Sequence, residues 1–159
     1  MKTAASSAAA SDLRLSSQLC FPLYAASRLV TRLYQPMLAP HGLTYTQYIV
    51  LLILWEKSPS TVSEIGGRAM LDSSTLTPVL KRLEKLGHVR RQRGKDDERM
   101  VLVRLTPSGE ALRARCRCLP AELMRSVDFP LDRSIQLKAL LEDLIAQLGR
   151  ASAPPTPDL

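Results

Sequence analysis

Apolar residues along the chain fall into blocks with helical spacing, broken once by a stretch that alternates. Between Leu19 and Leu38, the residues Ala26, Leu29, Val30, Leu33 and Met37 recur at the intervals of one helix face. Pro22 fits this helix if it lies in the first turn, where a missing N–H costs little, and kinks it if it lies deeper. Pro40, His41 and Gly42 end the element. Thr44 is placed to cap a second helix from Tyr45 to Glu56, whose run from Tyr48 to Trp55 is apolar nearly all round and therefore belongs in the interior. Ser58, Pro59 and Ser60 read as a loop, Thr61 caps a short helix through Met70, and a Leu71-Asp72 turn leads on.

The next helix has two faces. Leu76, Val79, Leu80 and Leu83 must be buried, which leaves Ser73, Ser74, Thr75, Thr77, Lys81 and Arg82 on the open side. Gly87 closes it, and Pro78 is expected to bend it so that its first turns form the regular part. Two short helices joined by a tight turn, the second polar-faced, make a helix-turn-helix pattern. His88 to Arg93 and Met100 to Leu105 then alternate as strands, with Val101, Val103 and Leu105 on one face and Gly94 to Arg99 as the tip. The predicted fold is mainly α with a small β-hairpin wing, a winged helix-turn-helix.

Thr106 and Pro107 start a further helix that reaches about Arg117, and Pro120 bends or splits the helix there. A last helix from about Ser134 to Leu148 carries Leu137, Leu140, Leu141, Leu144, Ile145 and Leu148 in one stripe, with Gly149 as its stop. Residues 1–15 read as a disordered arm, 16–149 as one domain with its DNA-binding core at about 44–105, and 150–159 as a disordered tail. The winged unit occupies only the middle of the chain, so the apolar stripes of the first and last helices call for a second copy. A two-fold homodimer would set two reading helices roughly 34 to 36 Å apart, the spacing of a palindromic duplex site.

Charge sharpens this picture. The chain of 159 residues carries a net +7, and between Lys81 and Arg99 eight basic residues face four acidic ones. Positive charge gathered at one place is a footprint for phosphate. Aromatic residues make up 4% of the chain, too few for stacking on single-stranded bases to be the main mode of binding. No apolar run approaches the roughly 18 residues of a membrane span. Three cysteines without an export signal point to a reducing, cytoplasmic setting and free thiols.

Little in the sequence suggests an enzyme, a metal or a cofactor. His41 and His88 lie in no nucleophile motif. Cys116 and Cys118, two apart on a helix, point about 200° from each other and cannot easily share one ion; they read as exposed or half-buried thiols. Cys20 lies in the run LCFPLY. By composition it is either a small core residue or, given a stabilised thiolate, a reactive one. Tyr24, Tyr34 and Tyr45 are candidate donors to it.

Four segments together resemble one family: LCFPLYAASRLVTRLYQPML, GLTYTQYIVLLILWE, LDSSTLTPVLKRLEKLGHVRR and DDERMVLVRLTPSGEAL. In order, and nearly without gaps from Leu19 to Leu112, they are similar to the MarR family of winged-helix regulators, and more narrowly to its organic-hydroperoxide-sensing OhrR branch. The resemblance implies a dimeric repressor that leaves its operator when an organic hydroperoxide oxidises one cysteine. That cysteine corresponds to Cys20, with hydrogen bonds to its sulfur expected from Tyr34 and Tyr45. The reading helix would put Ser73, Ser74, Thr75 and Thr77 near base edges, with Lys81, Arg82, Arg91 and Arg93 on phosphates. Arg99 would enter the minor groove, oriented by Asp97.

The sequence departs from the family at three points. Ser74 replaces a glycine, Pro22 stands where an apolar residue is usual, and no cysteine occurs in Leu123-Met124-Arg125-Ser126, where two-cysteine members carry a resolving thiol. Resolution is therefore expected either from a low-molecular-weight thiol or from Cys116 or Cys118. Two other functions fit the same sequence: a regulator released by a reversible phenolic or fatty ligand, and a thiol peroxidase.

Overall fold

A computed structural model describes residues 13–94 and 100–152. The order of elements is α1 (Cys20–Leu38), α2 (Tyr45–Glu56), β1 (Ser60–Thr61), α3 (Val62–Ala69), α4 (Ser73–Lys85), β2 (Val89–Arg93), β3 (Val101–Leu105), α5 (Pro107–Cys116), α6 (Leu119–Ser126) and α7 (Leu131–Ala151). The chain divides into two compact units, one ending at Leu119 and one beginning at Pro120.

Side-chain caps set several of the helix boundaries. Thr44 Oγ1 accepts the Gln47 N–H while the Gln47 side chain accepts the Thr44 N–H, and Thr61 and Glu64 do the same for α3. Each such cap contributes about 1 kcal/mol. Asp72 caps α4 and Thr106 caps α5, with Pro107 in the first turn. Gly42, at φ 67°, and Gly87, at φ 77°, take the left-handed conformation that turns the chain after α1 and α4.

The core of the first unit forms around α2, as its unbroken apolar run requires. Tyr48, Val50, Leu51, Ile53, Leu54 and Trp55 are buried there, joined by Leu38, Ile65, Leu76, Leu80, Leu83, Val89, Val103 and Leu112 from the surrounding elements. A three-stranded antiparallel sheet closes one side in the order β1-β3-β2, with Val89 opposite Leu105, Arg91 opposite Val103 and Ser60 opposite Val103 on the other edge. Val89, Val103 and Leu105 share one face of this pleat, and Arg90, Arg104, Gln92 and Leu102 the other.

Within the second unit α7 runs for 21 residues and has no buried residue; Leu140 is 69% exposed and Leu148 55%. On α1 only Tyr34 and Leu38 are buried, and Leu29 is 55% exposed. No single described helix is long and apolar enough to cross a membrane.

Several expectations need correction. Ser60, read as loop, pairs with Val103, because its hydroxyl donates to the Lys57 carbonyl and turns the chain onto the sheet edge. Of the two placements open to Pro22, the first turn of α1 is the one it takes, and no backbone bond is lost there. With Pro78 inside it, α4 continues to Lys85 as expected, with Leu76, Leu80 and Leu83 buried along one side. Gly149 does not stop the last helix. That helix begins at Leu131 behind Pro130, passes through Gly149 and ends at Ala151, where the Ser152 hydroxyl and N–H both bond to the Leu148 carbonyl. Ordered elements thus reach into both predicted terminal segments, since a short 3-10 turn also starts at Leu15.

Two glycines give opposite expectations. A Cβ on Gly109 would meet the His88 carbonyl oxygen at 2.1 Å, whereas one on Gly149 meets nothing within 4 Å. Gly109→Ala should destabilise the chain by about 3 kcal/mol or more in urea unfolding, through overpacking against backbone. Gly149→Ala should stabilise α7 by about 0.5 to 1 kcal/mol.

Candidate DNA interface and thiol site

The exposed side of α4 begins with Asp72, whose carboxylate accepts the Thr75 N–H at 2.7 Å and so fixes the first turn. Ser73, Ser74 and Thr75 are exposed beside it, Thr77 is half-buried, and Lys81 and Arg82 are exposed two turns on. These residues share one open face, as their spacing predicts. Bonds from Ser74 and from Thr75 hold the Asp72 carboxyl below the usual carboxylate range, so it is charged at neutral pH.

The hairpin divides its arginines by role. Arg91 lies on the core side of β2, where its guanidinium meets Glu84 of α4 at 2.7 Å and its N–H bonds to the same carboxylate at 2.9 Å. Those bonds hold the Glu84 carboxyl low. Arg91 therefore ties the wing to α4, a structural role beside the phosphate contact expected of it. Arg93 is exposed. Sequence reasoning overlooked Arg90 and Arg104, which stand directly opposite each other on the outer face of the sheet, both exposed. Facing like charges cost stability in a sheet; the signal was in the strand register, which pairs those two positions. Asp97 and Arg99 lie outside the described residues.

The thiol site is built on α1 and α2. Cys20 is exposed as the first residue of α1, which removes the core-residue reading of it. Tyr34 is buried, Tyr45 is half-buried, and their rings stack with centroids 4.9 Å apart; Tyr48 joins at 5.6 Å and Trp55 extends the cluster. The two expected donors are together, but the sulfur is not with them. Tyr34 is fourteen positions up the same helix from Cys20, a rise of about 21 Å.

Cys116 is buried at 2% exposure, not exposed or half-buried as expected, and burial raises its thiol pKa. Cys118 is exposed. Both lie near enough to oppose ionisation of Tyr48, whose pKa is pushed up to about 12 first by burial, then by Tyr34, Cys116, Tyr45 and Cys118. Tyr34 is also raised, by burial and then by Tyr45, and Tyr45 by burial.

Comparison with known proteins identifies the family. Residues 32–115 match the family model described as transcriptional regulator SarA/Rot. The chain is 41% identical over 136 residues to the organic hydroperoxide resistance transcriptional regulator of Bacillus subtilis (strain 168), covering 86% of this chain and 92% of that one. This chain belongs to the MarR/SarA winged-helix family of transcriptional regulators. The HTH-type transcriptional regulator TtmR of Methylorubrum extorquens (strain PA1) is 50% identical over 130 residues, 82% of this chain, although the match spans only 65% of that relative's length. Among solved structures, reduced AbfR bound to DNA superposes with a TM-score of 0.69 at 40% identity, covering 85% of this chain and 94% of AbfR.

The tyrosine cluster makes an alkaline prediction. Tyr48 holds its proton more tightly folded than unfolded, since its pKa rises from 10.0 to about 12. Between those values the unfolded state carries fewer protons, so stability should fall as pH climbs from about 10 toward 12. Tyr48→Phe should make that fall shallower in chemical denaturation followed against pH, with Tyr34 and Tyr45 accounting for the remainder.

Proposed function

We propose that the chain is a dimeric repressor that binds a palindromic operator and lets go when an organic hydroperoxide oxidises Cys20. The observation that carries this reading is the separation on α1: an exposed thiol at one end and a stacked pair of phenols about 21 Å away at the other. No side chain spans that distance, so Tyr34 and Tyr45 are out of reach of Cys20 in the same chain, and on this reading they bond to the sulfur of a second copy. A two-fold arrangement with the α1 helices running in opposite directions would bring each sulfur toward the opposing tyrosines. The exposed apolar residues of α1, Leu29 among them, supply surface for such a pairing.

The chemistry takes two steps. The Cys20 thiolate attacks the peroxide, breaks the O–O bond and becomes a sulfenic acid, while the other oxygen takes a proton and leaves as an alcohol. A second thiol then attacks the sulfenic sulfur, forming a disulfide and releasing water. Cys118 is exposed and lies near Tyr48, whereas Cys116 is buried with a raised pKa. A small external thiol or Cys118 is therefore the better-placed partner. An adduct pressed into the tyrosine stack must displace a ring that α2 holds in the core, and that disturbs the spacing of two α4 helices.

DNA as the partner is supported by the open face of α4 and by the DNA-bound relative AbfR. Ser73, Ser74, Thr75 and Thr77 would lie toward base edges, with Lys81, Arg82 and Arg93 on phosphates and Arg99, oriented by Asp97, in the minor groove.

Gel shifts on a promoter-derived duplex with and without cumene hydroperoxide test the reading. Wild-type protein should lose the shift on oxidation, and Cys20→Ser should keep it. Retention of the peroxide response by Cys20→Ser would move the sensor elsewhere. Release by a phenol or fatty acid with Cys20 still reduced in mass spectra would favour a ligand-responsive regulator, and rapid multiple-turnover peroxide consumption without DNA binding would favour a peroxidase.

A further inference from the structure

Three hydroxyls along α4, those of Ser74, Thr75 and Thr77, have already committed their hydrogens. Ser74 Oγ donates to Asp72 Oδ1 at 2.5 Å, Thr75 Oγ1 donates to Asp72 Oδ2 at 3.2 Å, and Thr77 Oγ1 donates to the Ser73 carbonyl at 2.7 Å. Each receiving atom is a carboxylate or carbonyl oxygen with no hydrogen to give, so the direction of these bonds is fixed by the groups themselves. A hydroxyl has one hydrogen and two lone pairs. Once the hydrogen is committed, the oxygen can only accept from a third party.

We infer that α4 selects base pairs through acceptor-only contacts: Ser74 and Thr75, held by Asp72, accept from the amino groups of adenine and cytosine and are repelled by the keto oxygens of guanine and thymine. The inference rests on the proposed role of α4 at DNA and adds the chemistry of its choice. In the major groove adenine N6 and cytosine N4 are the donors, while guanine O6 and N7, adenine N7 and thymine O4 are acceptors. A free serine or threonine hydroxyl can turn to suit either kind. Here both rotors are locked by the same carboxylate, whose own charge adds to the rejection of acceptor edges. Ser74 and Thr75 are exposed on the first turn, while Thr77 is half-buried and less able to take part. Ser74 stands where the family resemblance expects glycine, so this chain has one more oxygen in the row than that pattern provides.

Asp72 is on this view a positioning residue with two separable effects. As an N-cap it stabilises the helix, a task asparagine performs about equally well. As a double acceptor it orients two hydroxyls, which asparagine cannot do. The amide of Asp72→Asn offers one oxygen and one NH2, so a hydroxyl meeting the NH2 accepts there and turns its own hydrogen outward. Loss of the cap alone would weaken binding to every sequence alike; loss of the orientation would relax the choice of base.

The test begins with duplexes enriched by the full-length reduced chain from a randomised pool, and with the base pairs whose preference disappears in Ser74→Ala and Thr75→Val. At those pairs adenine is replaced by 2-aminopurine, or cytosine by pyrimidin-2-one, which removes the amino group from the major groove; separately, the purine is replaced by its 7-deaza analogue, which removes the N7 acceptor. Loss of the amino group should weaken wild-type binding about tenfold, the scale of one hydrogen bond, and the doubly substituted Ser74→Ala/Thr75→Val chain should not notice it. The 7-deaza analogues should bind as the parent duplex does, and Asp72→Asn should enrich guanine or thymine at the affected positions. A loss of affinity with the 7-deaza analogues, or none with the amino deletions, overturns the inference. Failure to enrich any sequence overturns the DNA-binding reading instead.

Discussion

One close approach organises the first unit. The backbone of Gly109 in α5 passes so near the His88 carbonyl that no side chain fits between them. The Gly109 carbonyl accepts the buried Trp55 indole N–H at 2.9 Å, and Gly109 N–H donates to the Thr106 hydroxyl, which in turn donates to the Gly87 carbonyl. The Thr106 N–H meets the His88 carbonyl as well. A single glycine thus joins α2, the start of the wing and the beginning of α5. A buried hydrogen bond left unmade costs far more than a made one gains, so these three elements are constrained to move together.

That constraint bears on how a change at a sulfur can be felt at a groove. Tyr45 and Tyr48 lie on the same α2 helix as Trp55. A disturbance of the tyrosine stack therefore acts on the helix whose other end is pinned to the wing, and the Glu84 to Arg91 pair carries the wing's position to α4. Interiors are close-packed and pass displacement on instead of absorbing it. The first unit offers a short mechanical route from the tyrosine stack to α4.

Charge is divided in the same way between holding and offering. Arg91 is half-buried and bound to Glu84, so its charge is largely answered within the chain. Arg90 and Arg104 stand opposed on the outer face, an arrangement that costs stability unless an anion lies against it. The reading helix repeats the contrast on a smaller scale, with Asp72 binding the hydrogens of its neighbours while Lys81 and Arg82 remain exposed.

Periodicity and capping chemistry were enough to determine the helices, the hairpin and the helix-turn-helix, because local spacing decides which face a residue takes and Thr44, Thr61 and Thr106 mark where helices begin. Resemblance named Tyr34 and Tyr45 together, and the fold stacks their rings. What sequence could not decide were matters of distance between segments far apart in the chain. Ser60 became a strand through a partner forty-three residues away, Arg91 acquired Glu84 through the packing of β2 on α4, and Cys116 was buried by the elements around it. Gly149 looks like a helix stop in isolation, yet α7 passes through it. The separation of Cys20 from Tyr34 and Tyr45 is likewise settled by structure: motifs give residue types in order, while only a rigid helix fixes how far apart they stand.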